Sequence, residues 1–328
     1  MKSVKLPPGF ELRVFAAEPD VQNPIAITTD ERGRLWVAEN YNWPADYRAR
    51  VYTPNLHGRR INSDILEREN AGYTAKHGPD MCFIAGTWFR GMDLITGPDG
   101  GVFIADWSDT GECHDHDGVH RTSGRIYKLT YGQPKPVQPF DLSQSTMKQL
   151  APYQLHENDW WARQSRRILQ ERATLNNAAD DGLAGAQHAL EALLLTQAET
   201  PIRIRLVVAM NAIHAASEPW LVDKVFAAEE HEKVLALRLL SDRWSVNGES
   251  PSEAMLQKLQ TMEQSESSGL VCLYLASTLQ RLPVDARWSI VDALDDGGRS
   301  RDQRCHDATV RTNDHPADAP GADHCRPK

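Results

Sequence analysis

A short β unit occurs twice in this chain, and it constrains the fold more than any other feature. Gly33-Arg34-Leu35-Trp36-Val37-Ala38-Glu39 and Gly100-Gly101-Val102-Phe103-Ile104-Ala105-Asp106 share a turn, an apolar strand and a terminal carboxylate in the same order. Recurrence of such units is expected of propeller blades, each a four-stranded antiparallel sheet. The strand pattern continues around both copies. Glu11-Leu12-Arg13-Val14-Phe15 alternates, and Ile25-Ala26-Ile27-Thr28 precedes the first copy. Gly97-Pro98-Asp99-Gly100 is a turn signal before the second, and Arg125-Ile126-Tyr127-Lys128-Leu129 alternates like a strand with one wet face.

These units do not fill a ring. At roughly 40–50 residues per blade, residues 1–135 hold at most about three, and closure needs about four or more. Residues 41–80 are also poor in strand pattern, because Arg48, Arg50, Arg59, Arg60, Glu67, Arg68 and Glu69 crowd them. The expectation is an α+β multidomain chain whose residues 1–135 form a partial β-propeller-like antiparallel region, weakly structured over 41–80.

Gly132-Gln133-Pro134-Lys135-Pro136 marks the end of that region, and residues 136–142 read as a linker. From Ser143 the period becomes helical. Trp161, Ile168 and Leu169 oppose Arg163, Arg166, Arg167 and Glu171, which read as a solvated face. Thr200-Pro201 opens a helix with Ile202, Leu206, Ala209 and Ile213 on one side. Val234, Leu237, Leu240 and Trp244 mark another, and Ser250-Pro251-Ser252-Glu253 reads as a capping box. Short helices at this spacing predict an all-α, HEAT-like solenoid over 143–297. Residues 298–328 have Val310 as their one sizeable aliphatic and read as a disordered tail, or as a frame read out of register.

The net charge of −9 and pI of about 5.7 exclude a general nucleic-acid or anionic-membrane binder. No apolar run reaches membrane-span length, and MKSVKLPPGF carries no apolar signal-peptide core. Five scattered cysteines do not read as a disulfide framework. Haem attachment needs C-x-x-C-H, but Thr110 and Asp302 stand where the first cysteine would precede Cys113-His114 and Cys305-His306.

Residues 106–121 concentrate ligand and acid/base groups. Asp106, His120 and Arg121 are the catalytic candidates. Cys113, His114 and His116 suit Zn²⁺, whereas Asp106, Asp109, Asp115 and Asp117 would suit Ca²⁺. A polar blade-top loop held by Asp and Ser turns accounts for the same residues without any ligand. His77 and Asp80, with Trp88 and Arg90, are candidates for the lining of a substrate or cofactor pocket.

Several motifs resemble a planctomycete-type membrane-bound dehydrogenase family. They are Leu6-Pro7-Pro8-Gly9-Phe10, His77-Gly78-Pro79-Asp80-Met81, Thr87-Trp88-Phe89-Arg90-Gly91, Ala105-Asp106-Trp107-Ser108-Asp109, Gly118-Val119-His120-Arg121 and Asn158-Asp159-Trp160. The resemblance covers roughly residues 5–40 and 75–295. It implies a quinoprotein-like propeller, HEAT-like repeats and often a cytochrome c domain, with quinone and Ca²⁺ as cofactors and a secreted or periplasmic location. The first β segment resembles that family's first blade and the second its last. Three readings follow: a fragment of an oxidoreductase acting on sugars or alcohols, inactive alone; a non-catalytic scaffold offering the solenoid surface to a protein partner; and a metal-binding β module.

Overall fold

The computed structural model describes residues 4–17, 27–29, 35–37, 50–69, 71–110, 123–133, 137–175, 182–227, 229–246, 250–288 and 290–291. Antiparallel sheets come first and a helical region follows. The chain forms two compact units, Met1–Glu67 with Thr74–Ala216, and Arg68–Tyr73 with Ser217–Lys328.

In the first unit one sheet joins β2 (Phe10–Ala17), β11 (Arg125–Tyr131), β10 (Val102–Asp106) and β9 (Gly91–Thr96), in that order. All its pairings are antiparallel, with Ile104 opposite Tyr127 and Leu94, and Leu129 opposite Leu12. An early strand, β2, therefore completes a three-strand meander made much later in the chain. The β9–β10 turn is the expected one: Gly97 N donates to the Gly101 carbonyl at 2.7 Å, and Gly100 takes φ +81°, where a side chain would strain. Asp99 Oδ1 accepts from Gly101 N while its Oδ2 pairs with Lys128 Nζ at 2.6 Å.

A second sheet has the order β1 (Val4–Lys5), β8 (Cys82–Ile84), β6 (Arg60–Glu69), β5 (Arg50–Asn55), with β7 (Gly72–His77) also on β6. These strands correct the expectation of weak structure over 41–80; residues 41–49 lie outside the described ones. Period-2 alternation survives along β6, where Ile61 and Ser63 point inward while the residues from Glu67 onward face water. Of the charged residues that masked the pattern, Glu67, Arg68 and Glu69 are exposed, and Arg50, Arg59 and Arg60 are half-buried.

Leu12, Leu94, Val102, Ile104 and Leu129 of the first sheet share a core with Tyr52, Ile61, Cys82 and Ile84 of the second and with Met81 just before β8. Removing Ile104 alone from water is worth about 1.5–3 kcal/mol. Phe103, Ala105, Ile95 and Ile126 form a smaller cluster on the other face. The hairpin β3 (Ile27–Thr29) and β4 (Leu35–Val37) lies beside β9 and β10. Cys82 is buried and unpaired, and burial pushes its thiol pKa up to about 12, so it is chemically inert.

The same unit holds α1 (Met147–Leu150), α2 (Asp159–Thr174), α3 (Leu183–Thr196) and α4 (Thr200–Ala212). Residues 137–142 belong to it too. Asn158 Oδ1 caps α2 by accepting from Trp160 N at 3.0 Å. Its amide nitrogen donates to the carbonyls of Gly97 and Pro98, at 3.0 and 3.1 Å, and Trp161 Nε1 donates to Pro98 at 3.1 Å. Trp161 is held in turn by Phe140 and by stacking on Tyr153.

The second unit contains α5 (Glu218–Ala227), α6 (Glu230–Val246), α7 (Glu253–Ser265) and α8 (Gly269–Thr278). Val234, Leu237, Leu240 and Trp244 are buried, as their spacing predicts. The α7 cap is Ser252, which accepts from Met255 N, rather than Ser250. The tail 298–328 lies outside the described residues.

Candidate functional site

Strand β10 ends in a bulge. Its register on β9 shifts between Ala105 and Asp106, so that Asp106 faces Gly91. Bulges re-aim side chains next to sites. Here the bulge carries a carboxylate with 0% exposure. Asp106 Oδ1 accepts from Arg90 N at 2.8 Å and from Ser108 N at 2.9 Å, the second closing an Asx turn. Oδ2 has no partner of normal hydrogen-bond geometry, although the Tyr127 hydroxyl is a neighbour.

Burial pushes the Asp106 pKa up to about 6. The two backbone donors, the Arg125 charge and Tyr127 each oppose that rise without cancelling it. Burial raises Tyr127 as well, reinforced by the Asp106 charge. The carboxyl can thus hold or release a proton near neutral pH through one uncommitted oxygen.

Arginines frame the turn. Arg125 Nη1 donates to Ser108 Oγ at 2.8 Å, and Ser123 Oγ donates to the Ser108 carbonyl at 2.6 Å. Together they hold Ser108 at φ +53°, a conformation that costs a non-glycine residue about 1–2 kcal/mol. Arg90 reaches the Thr87, Phe89 and Thr110 carbonyls, while its buried Nε has no partner. Trp107 Nε1 donates to Asp109 Oδ2 at 3.4 Å.

Asp106 and Arg90, two of the expected site residues, therefore meet. His77, the last residue of β7, and Asp80, between β7 and β8, form a separate pair. His77 Nδ1 lies 3.1 Å from Asp64 Oδ1 and its Nε2 lies 3.4 Å from Asp80 Oδ1; Arg60 reaches Asp80 Oδ2 at 3.3 Å. Because the two carboxylates sit on opposite edges of one imidazole, they do not converge on a common point. Among the described residues no hydrogen bond or ion pair joins these two groups. Trp88 is 36% exposed. His120 and Arg121, and the zinc candidates Cys113, His114 and His116, lie outside the described residues, as do Asp115 and Asp117.

Arg125, Ser108, Tyr127 and Asp64 were not among the sequence candidates. Arg125 faces Asp106 across β10 and β11. Asp64 reaches His77 only through the β6–β7 pairing.

Calcium takes six to eight oxygen ligands. The charged groups felt at Asp106 include the cation Arg125, and among the described residues no three or more His, Cys, Asp or Glu side chains gather to hold a metal. The described residues do not fit a calcium site at this place.

An antiparallel β region followed by helices, with a buried carboxyl at a bulged strand end, is the class that fold and site define. Over residues 1–51 the chain is similar to a family described as a domain of unknown function, DUF7133. Neither the curated proteins nor the solved structures contain a match. Among the described residues no helix is long and apolar enough to cross a membrane.

Proposed function

We propose that this chain supplies the ring-closing part of a quinoprotein-like dehydrogenase propeller, followed by HEAT-like repeats, and that it does not turn over alone. The observation that carries the reading is the pairing of β2 with β11. A propeller leaves only short, protected edges. It achieves this at the ring junction when an early strand completes a late blade. The meander β9–β10–β11 with β2 as its fourth strand has that arrangement. The second sheet packed over Ile104 and Leu129, and β3–β4 beside β9 and β10, are what neighbouring blades would supply. In the helical region α3 packs on α4, and α5 on α6, as the hairpins of stacked repeats do.

In such an enzyme the electrons pass to a quinone, so the cofactor supplies the redox chemistry and the protein supplies the pocket. Asp106 is wholly buried, so in this reading its carboxylate, with a pKa near 6, would take a proton from the neighbouring Tyr127 hydroxyl as that hydroxyl takes one from a substrate hydroxyl. General base catalysis contributes about 10²–10⁴ in rate and does not replace an acceptor.

The test is a dye-linked assay with aldoses and primary alcohols, with and without pyrroloquinoline quinone and Ca²⁺. Sugar binding is followed in parallel through tryptophan fluorescence, with Asp106→Asn as the control. We expect no reduction, but a saturable fluorescence response that Asp106→Asn weakens. Substrate-dependent reduction would overturn the claim of inactivity. A chain indifferent to every sugar and alcohol would overturn the dehydrogenase reading.

A further inference from the structure

Two guanidiniums in the first unit share one carboxylate, and a third lies within its field. Asp159, in the first turn of α2, has both oxygens engaged: Arg163 Nε bonds Oδ2, and Arg205 Nη2 of α4 bonds Oδ1 at 3.0 Å. Arg166, one turn beyond Arg163, feels Asp159, Arg163 and Arg205 together. Among the described residues none of the three arginines pairs with a second carboxylate. The cluster therefore carries two positive charges in excess.

Arg166 does not lie on a solvated face, as its spacing suggested. Its Nη1 donates to Gln154 Oε1 at 3.1 Å, and Gln154 is itself buried, donating to the Ala162 carbonyl and to Ser165 Oγ. Burial lowers the Arg166 pKa, Asp159 opposes this, and Arg163 and Arg205 add to it. Arg205 spends Nη1 on the His156 carbonyl at 3.0 Å. Both Nη groups of Arg163, and Nε and Nη2 of Arg166, have no hydrogen-bond partner among the described residues. Arg167 is different: it pairs with Glu171 at 2.6 Å on open surface, and its charge is compensated there.

Concentrated, partly desolvated positive charge is unfavourable until an anion joins it. Guanidinium forks match the geometry of phosphate oxygens, and a dianion matches a surplus of two. We infer that Arg163, Arg166 and Arg205 form a binding site for a phosphate group, either the free anion or that of a phosphate monoester. The ligand sits on the open edges of Arg163 and Arg166, beside the Asp159–Arg205 pair.

The test is titration of the full chain with inorganic phosphate and with glycerol phosphate at constant ionic strength. It is read by calorimetry and by melting temperature. Saturable binding of inorganic phosphate is expected, with about tenfold or more weakening in Arg163→Gln, the loss of one charge-assisted contact. Arg167→Gln serves as the control and should bind as the wild type does. Arg166→Lys keeps the charge without the fork and should lose part of the affinity. Equal binding of glycerol phosphate supports an esterified ligand, and its exclusion supports the free anion. No heat and no melting shift beyond matched chloride, or undiminished binding by Arg163→Gln, would overturn the site.

Discussion

Asn158 and Pro98 are joined by a 3.1 Å hydrogen bond from the asparagine amide to the proline carbonyl, while the same side chain caps α2. One residue thus fixes both the start of a helix and its seat on a β-turn.

Asn158→Ala removes the cap and both carbonyl contacts, so we expect a loss of about 1–3 kcal/mol. Asn158→Ser keeps a capping oxygen but cannot reach both carbonyls, and should fall between. Urea unfolding followed by circular dichroism measures this. Wild-type stability in Asn158→Ala would show that the tether carries no energy.

Asp106 makes stability depend on pH. Its folded pKa of about 6 lies above the ordinary 3.8, so the folded state holds the proton more tightly. The stabilisation is fully present below about pH 4 and is lost as pH rises through 6, by on the order of 3 kcal/mol. Asp106→Asn cannot ionise, yet its carbonyl can still accept from Arg90 N and Ser108 N. Its stability relative to wild type should therefore climb between pH 4 and pH 7. A difference that stays flat over that range refutes the raised pKa.

At Ser108 the usual ranking of alanine over glycine should reverse. Both substitutions lose the Arg125 bond, but glycine accepts φ +53° without strain. Ser108→Gly is expected to be more stable than Ser108→Ala by about 1 kcal/mol. Equal or opposite stabilities, measured by thermal melting, would mean that the backbone relaxes elsewhere.

Leu12 is the apolar anchor of β2, buried opposite Leu129. Leu12→Ala should cost about 2–4 kcal/mol, whereas Val14→Ala, at an exposed position of the same strand, should change stability by less than about 0.5 kcal/mol. Comparable effects at both positions would argue against β2 as part of the sheet.

The strands legible in the sequence were those whose inner face is continuous: Val102 to Ala105 is buried on both sides, and Ile126 and Leu129 are buried between the half-buried Arg125, Tyr127 and Lys128. The β5–β6–β7 strands were not legible because β7 is exposed along its whole length and β6 for its second half, leaving few apolar positions to set a period. Helical faces such as Leu206, Ala209 and Ile213 followed their spacing. At the site, Asp106 was visible as a carboxylate ending an apolar strand. Its depth of burial was not, because that depends on a bulge and on a core shared with another sheet. Arg166 was misjudged for a related reason: position on a helix says which side a residue faces, not whether Gln154 and α4 cover that side.

The pairing of β2 with β11 also orders events during synthesis. β2 leaves the ribosome long before β11 exists, and at ordinary elongation rates the wait is roughly ten seconds. Throughout that interval its backbone donors and acceptors are open to any other edge. Glu11 and Arg13, charged and joined to each other on the exposed side, are the kind of residues that keep such an edge from finding the wrong neighbour.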